Sequence, residues 1–269
     1  MNERGLFSSF AVITDYDRVG ITDDRILSEC DGVVMERIVI CAALPVEIRS
    51  FCRRFGFSAP SRQRQIVLNR FNDRIDVTIV VSGIGRDRMA RLLAATSGEP
   101  ATCWISAGFS GALTDGLNVG DCVKSTQVIT TNGEVIHPSS PRWIDENEFS
   151  ATLLCADEIV SSFEEKQALH NRYGATAIDM ESAAVAQHAL NRRESFVGIR
   201  MISDDGRETL PIEFSQVFDS AGFPCIPAAI RLMMRNPFLI PEFCRMGMRS
   251  FRLSARLADA VGDFLSSIP

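Results

Sequence analysis

Short apolar runs and amphipathic runs take turns along this chain from residue 37 to residue 202. "RIVICAAL" (37–44) reads as a buried strand, and "PVEIRSFCRRFG" (45–56) as a helix with Pro45 at its first position and Gly56 closing it. "VTIVVSG" (77–83) predicts a strand and "RDRMARLLAATS" (86–97) a helix. "TCWISAG" (102–108) and "DCVKSTQVIT" (121–130) predict two more strands. "SSFEEKQALHNRYG" (161–174) predicts a helix ended by Gly174, followed by a helix over 179–190 and a strand over 196–202. Strands alternating with helices make an α/β fold, with ligands expected where strands end. Beyond residue 211 the pattern is helical only.

A chain of 269 residues can bury one substantial core. Residues 1–34 are polar, acid-rich and weakly patterned, which reads as an N-terminal extension outside the fold. Residues 35–210 form the expected domain, and 211–269 a helical C-terminal extension packed on it. The formal net charge of −6 excludes a global basic footprint for nucleic acid. Of 28 cationic residues only Lys124 and Lys166 are lysines. Eight cysteines never form a C-x-x-C pair, and three histidines are scattered, so neither metal nor cofactor is expected. Cysteines inside apolar runs, with no export signal and no run of membrane-spanning length, point to the cytoplasm.

Carboxylates mark two element ends. "AIDMESAAVAQHAL" (177–190) sets Asp179 and Glu181 at a helix start, where acids also serve as caps and answer the macrodipole. "FVGIRMISDDGRE" (196–208) is an apolar run ending in Asp204 and Asp205. "SGIGR" (82–86) and "SAGFSGAL" (106–113) are glycine-bearing strand ends, which can turn backbone N–H groups toward an anion or simply make tight turns. "GIGRDR" lacks the third glycine of a dinucleotide fingerprint, its place being taken by Arg88. "GFSGA" (108–112) has the look of a nucleophile elbow ending in alanine, which makes Ser110 a candidate acyl-transfer nucleophile.

In order and spacing, "SGIGR", "SAGFSGAL…VGD", "AIDMESAAVA" and "RMISDD" resemble the nucleoside phosphorylase/nucleosidase superfamily over residues 37–210. The broad resemblance is to methylthioadenosine/S-adenosylhomocysteine nucleosidases. "AALPVE", "GFSGAL", "DMESAAVA" and "SDDGRETLP", with a helical tail, look most like the hopanoid-associated phosphorylases, or adenosylhopane nucleosidases. The resemblance implies a single three-layer α/β domain with a central mixed sheet, and cleavage of a purine N-glycosidic bond. Such cleavage passes through an oxocarbenium-like sugar, so the ribose must be held, the base protonated and a nucleophile delivered. By the resemblance, Glu181 takes the ribose hydroxyls, Met180 packs on the sugar face, and Asp204 protonates the purine. Glu47 is the candidate base for the nucleophile, although "ALPVE" departs from the relatives' G-A-M-x-x-E register. Ile159, in "CADEIV" (155–160), falls where relatives place the purine edge, and Phe109 is a candidate apolar wall. Gly85, Arg86, Gly108 and Gly111 form the expected nucleophile or phosphate pocket. "WISAGFSG" carries no arginine, which leaves Arg86 as the nearby cation and favours water over phosphate.

Three functions remain open from the residues: nucleosidase or phosphorylase, serine hydrolase through Ser110, and a non-catalytic nucleoside- or lipid-binding relative. The resemblance implies a nucleoside substrate, small or lipid-linked, and a homodimer. In the tail, Arg245, Arg249, Arg252 and Arg256 recur at i, i+4, i+7 and i+11, one stripe of a helix. With Met246, Met248 and Phe251 nearby, that stripe is either a solvated face or a peripheral membrane contact.

Overall fold

A computed structural model describes residues 35–96, 100–208 and 216–269; the expected extension over 1–34 lies outside the described residues. β1 (Glu36–Ala42) runs parallel between β3 (Ile75–Val81) and β4 (Cys103–Ala112). On the other side of β4, β10 (Ser195–Asp204) pairs with it in parallel almost end to end. β2 (Ile66–Asn72) closes one edge as an antiparallel neighbour of β3. Beyond β4 the sheet continues through β9 (Ala177–Asp179), β8 (Thr152–Cys155), β6 (Gln127–Thr130) and β7 (Val135–Ile136), while β5 (Cys122–Ser125) pairs antiparallel with β10. The sheet is therefore mixed.

Because side chains alternate across a strand, each face of β1 feeds a different core. Ile38, Ile40 and Ala42 pack with Ile48 and Phe51 of α1 (Pro45–Phe55) and Leu253, Leu257 and Val261 of α6 (Ile240–Ser266). Val39 and Cys41 pack with Met89 and Leu93 of α2 (Arg86–Ala95) and Val185, Ala186 and Ala189 of α4 (Ser182–Arg192). The result is three layers, helix on sheet on helix, as expected. α3 (Phe163–Tyr173) is capped by the Ser162 hydroxyl, which accepts from the Glu165 N–H. It ends at Gly174 with φ +66°, and α1 ends at Gly56 with φ +67°, both left-handed positions that suit glycine.

Three local expectations change. The run over 121–130 is broken at Thr126 into β5 and β6, where the Ser125 hydroxyl turns back to bond Gln127. The helix expected from residue 179 begins at Ser182, and Asp179 belongs to β9 instead. The "GFSGA" segment is not a strand-to-helix elbow. It continues β4, with Ser110 in register with Ile202 of β10. At the C-terminal end, α5 (Ile226–Arg235) is followed by a 3-10 turn over Pro237–Leu239, and Pro241 sits in the first turn of α6.

Candidate active site

The carboxyl ends of β4 and β10 meet the start of α1, the β9–α4 junction and the inner face of α6 around a cavity of about 220 Å³. Glu47 enters from the first turn of α1. Its Oε2 accepts from the N–H groups of Ala43 (2.9 Å) and Leu44 (2.7 Å), and its Oε1 from the N–H of Phe109 (2.8 Å). The bond to Leu44 is half of a capping box, so the helix start itself aims this side chain inward. Burial raises the Glu47 pKa, against the lowering effect of Arg200 and of these backbone donors.

Glu181 stands at the N-cap of α4 but does not cap it; its Oε1 accepts the N–H of Gly85 at 2.7 Å. Burial, followed by the neighbouring charge of Asp179, pushes its pKa up to about 8. Capping falls to Asp179, which takes the N–H and the hydroxyl of Ser182, the latter at 2.6 Å. Asp179 also pairs with the buried Arg200 guanidinium, which donates to the Ser106 hydroxyl at 2.6 Å as well. Burial disfavours the Arg200 charge, but Asp179, Glu181 and Glu47 outweigh it and hold its pKa above the ordinary value.

Asp204 closes the other side. Its Oδ1 accepts from the Ser203 hydroxyl at 2.7 Å, and its Oδ2 from the ammonium of fully buried Lys166 at 2.7 Å. Lys166 spends its other two donors on the carbonyls of Asp205 and Glu208, both at 2.9 Å. Asp205 turns away, accepting the N–H groups of Arg207 and Glu208 in its own loop. Arg249 of α6, which also lines the cavity, binds that loop through the Ser203 carbonyl and the Glu208 carboxylate, both at 2.7 Å.

Of the residues expected from sequence, Glu47, Glu181, Asp204, Met180, Phe109, Ile159 and Gly111 line this one cavity. Gly108, next to Phe109, does not line it. A Cβ there would stand 2.5 Å from the Arg200 Nη1 and 2.6 Å from the Glu47 Oε1, and one on Gly111 would stand 2.8 Å from the Asp204 Oδ2. These glycines make room for charged side chains, since both sit within a paired strand. Gly85, at φ +118°, spends its N–H on Glu181. Arg86 pairs with Asp157 and does not line the cavity.

Arg200 and Lys166 were not singled out from sequence. Arg200 sits in the middle of an apolar strand, and a charge there demands a partner. Lys166 is one of two lysines in an arginine-rich chain. Ser110 lines the cavity with a buried, unpartnered hydroxyl. No histidine lines the cavity: His137 is exposed, the His170 ring bonds the Ala175 carbonyl, and His188 stacks edge-on against Trp104. Among the described residues no group of acids, histidines and cysteines could hold a metal ion.

Residues 148–222 match the model of the Phosphorylase superfamily. The 5′-methylthioadenosine/S-adenosylhomocysteine nucleosidase of Helicobacter pylori, solved with butyl-thio-DADMe-Immucillin-A, aligns at TM-score 0.63 and 16% identity, over 87% of this chain and 99% of that one. The chain has the nucleoside phosphorylase fold. The same fold aligns with the futalosine hydrolase of Helicobacter pylori (TM-score 0.60, 17% identity, 87% and 97% covered). It also aligns with the MTAN of Chlamydia trachomatis (TM-score 0.61, 16% identity, 87% and 100% covered). No curated protein matches in sequence. On this fold, Glu47, Asp179, Glu181, Arg200 and Asp204 come from four separate elements or junctions, the last two both from β10, and converge near the ends of two central parallel strands, the usual place for a ligand in an open α/β sheet.

Proposed function

We propose that this chain hydrolyses the N-glycosidic bond of a purine nucleoside, an adenosine carrying a large apolar 5′ group of the adenosylhopane kind. One observation carries the reading: three buried carboxylates, Glu47, Glu181 and Asp204, face one small cavity. Binding a neutral nucleoside does not require three desolvated acids. Stabilising a positive sugar while moving two protons does.

The roles follow from position. Glu181 keeps one oxygen on Gly85 and presents the other to the ribose hydroxyls, and Met180 beside it packs on the sugar. Glu47, with a raised pKa, is a stronger base than an ordinary carboxylate and takes a proton from the attacking water. The water oxygen bonds C1′ as the C1′–N9 bond breaks, and the electron pair leaves with the purine. Asp204 passes the departing base the proton that neutralises it, drawn from the Lys166 ammonium that donates to its Oδ2. Phe109 and Ile159 wall the aromatic ligand.

Water is favoured over phosphate by charge. A phosphate at this end would meet Glu47, Asp179 and Glu181, while Arg200 is already surrounded by those acids, Arg86 is paired with Asp157, and Arg249, which also lines the cavity, is held by Glu208. The cavity has an apolar wall for the 5′ group in Val46, Phe218, Met246 and Leu253, with Arg249 and Ser250 of α6 beside it. The butyl-thio ligand of the Helicobacter pylori nucleosidase is an apolar group of the kind such a wall would take.

The test is chromatography of adenine release from methylthioadenosine and longer 5′-alkylthioadenosines, with and without phosphate. We expect adenine and a free sugar in phosphate-free buffer, with kcat/KM rising with chain length. A sugar 1-phosphate formed only with phosphate present would reverse the choice of nucleophile. No adenine from any of these substrates would overturn the reading.

A further inference from the structure

The tail of this acidic protein is basic and amphipathic. Between residues 226 and 256 lie six arginines and a single acid, Glu242, in a chain of net charge −6. α5 has no buried residue. Ile226, Ile230 and Met234 follow one another at four-residue spacing along one stripe of it, 71%, 49% and 78% exposed. The 3-10 turn adds Phe238, 92% exposed, and the first half of α6 adds exposed Ile240, Met248 and Phe251. No helix among the described residues is long and apolar enough to cross a membrane.

The arginines flank this face. Arg231 and Arg235 each follow the apolar residue before them by one position, which places them beside the α5 stripe. The four arginines of α6 line a second groove, of about 540 Å³, with Val119 and Gly120. They are not equivalent. Arg249 is held by Glu208 and Arg256 by the Gly120 carbonyl, which draws half of the stripe into the fold. Arg245, itself exposed, pairs with half-buried Glu242, and Arg252 makes no ion pair among the described residues. An exposed apolar stripe bordered by guanidiniums, with almost no acids, is the pattern of a helix lying in a membrane interface.

We propose that α5, the 3-10 turn and the first half of α6 dock on an anionic lipid bilayer, with Ile230, Met234, Phe238 and Phe251 entering the headgroup–acyl boundary. Arg231, Arg235, Arg245 and Arg252 face the phosphates. The charge complementarity selects this occupant: a second copy of the same basic face would bring like charges together. The surface is continuous with the cavity, because α6 turns Met246, Ser250 and Leu253 into it while Met248 and Phe251 stay exposed. A substrate bearing an apolar tail could therefore pass from the lipid along the helix into the site. The docking itself stands apart from the cleavage reading, since it concerns lipid alone.

The experiment is sedimentation of the full chain with vesicles of phosphatidylcholine alone or with added phosphatidylglycerol, at low and high salt. Methylthioadenosine cleavage and circular dichroism are followed in parallel. We expect binding to the anionic vesicles only, weakened by salt. It should fall by roughly tenfold or more in Met234→Asp/Phe238→Asp and in Arg231→Gln/Arg235→Gln/Arg252→Gln, with the fold intact. Absence of binding, or equal binding to neutral vesicles, overturns the proposal. So does a Met234→Asp/Phe238→Asp protein that binds as the parent does, or one whose mass without lipid drops from dimer to monomer, which would make the face a self-interface.

Discussion

The two ends of the cavity solve the problem of buried charge in opposite ways. At one end three carboxylates, Glu47, Asp179 and Glu181, share a single guanidinium, Arg200. At the other, Asp204 has a whole ammonium to itself in Lys166, whose remaining donors are taken by carbonyls. The first end is short of positive charge, and burial there drives Glu47 and Glu181 toward protonation. In the proposed reaction a positive sugar appears beside it and supplies the missing charge. The second end is balanced, so it gains little from a cation and serves instead to fix Asp204 and the 205–208 loop. Surplus acid thus marks where charge is to develop, and a balanced pair marks where geometry is held.

Removing the shared cation should do the most damage. Arg200→Met strands three buried carboxylates, and breaking a buried pair costs about 3–5 kcal/mol; urea denaturation should place this variant at the upper end of that range. A loss below about 1 kcal/mol would mean that the acids do not depend on Arg200. Lys166→Met strands one carboxylate and two carbonyls. Its loss should be smaller, about 3 kcal/mol in the same denaturation series. If it equals or exceeds the loss in Arg200→Met, the contrast between a shared and a private counter-ion fails.

A third effect is a pH dependence. Glu181 has a folded pKa of about 8 against an ordinary value of 4.5, so between those limits the folded state binds more protons than the unfolded state. Its contribution to stability is fully present below pH 4.5 and is lost as pH rises through about 8. The melting temperature of the parent should therefore fall over that window, and Glu181→Gln should flatten the fall. Glu47 works in the same direction, so some slope should remain. An unchanged slope would take Glu181 out of the charge-short end. With substrates, the same variant should lose far more activity on ribosides than on 2′-deoxyribosides, which lack one hydroxyl partner.

Much of the fold was legible because its signals are local. Pro45, Gly56 and Gly174 punctuate the chain where helices start and stop, and the apolar runs of β1, β3, β4 and β10 are buried on both faces. β2 was missed because its burial alternates weakly in "IVLNRFN", with Leu68 exposed at a sheet edge. The three carboxylates were legible as acids at element ends. Their counter-ions were not, because Lys166 lies 38 residues from Asp204 and Arg200 pairs with Asp179 across an intervening helix, and no periodicity reports such pairings. The glycines misled in the other direction. Gly108 and Gly111 looked like an anion-binding turn, yet their place in a paired strand leaves them as clearance for Glu47, Arg200 and Asp204. The arginine stripe of α6 was read correctly as a stripe, but its periodicity could not tell that Arg249 and Arg256 face the fold.

The central claim is that the buried carboxylates of this cavity break a purine N-glycosidic bond, with Asp204 as the acid. Adenine release from methylthioadenosine should be measured for the parent, Asp204→Asn and Asp205→Asn, with folding checked by thermal melting. The account predicts that the parent releases adenine, that Asp204→Asn loses at least about 100-fold in kcat/KM, and that Asp205→Asn stays within about tenfold of the parent because its side chain serves only its own loop. Parent-level release by Asp204→Asn, or a collapse in Asp205→Asn alone, would contradict it.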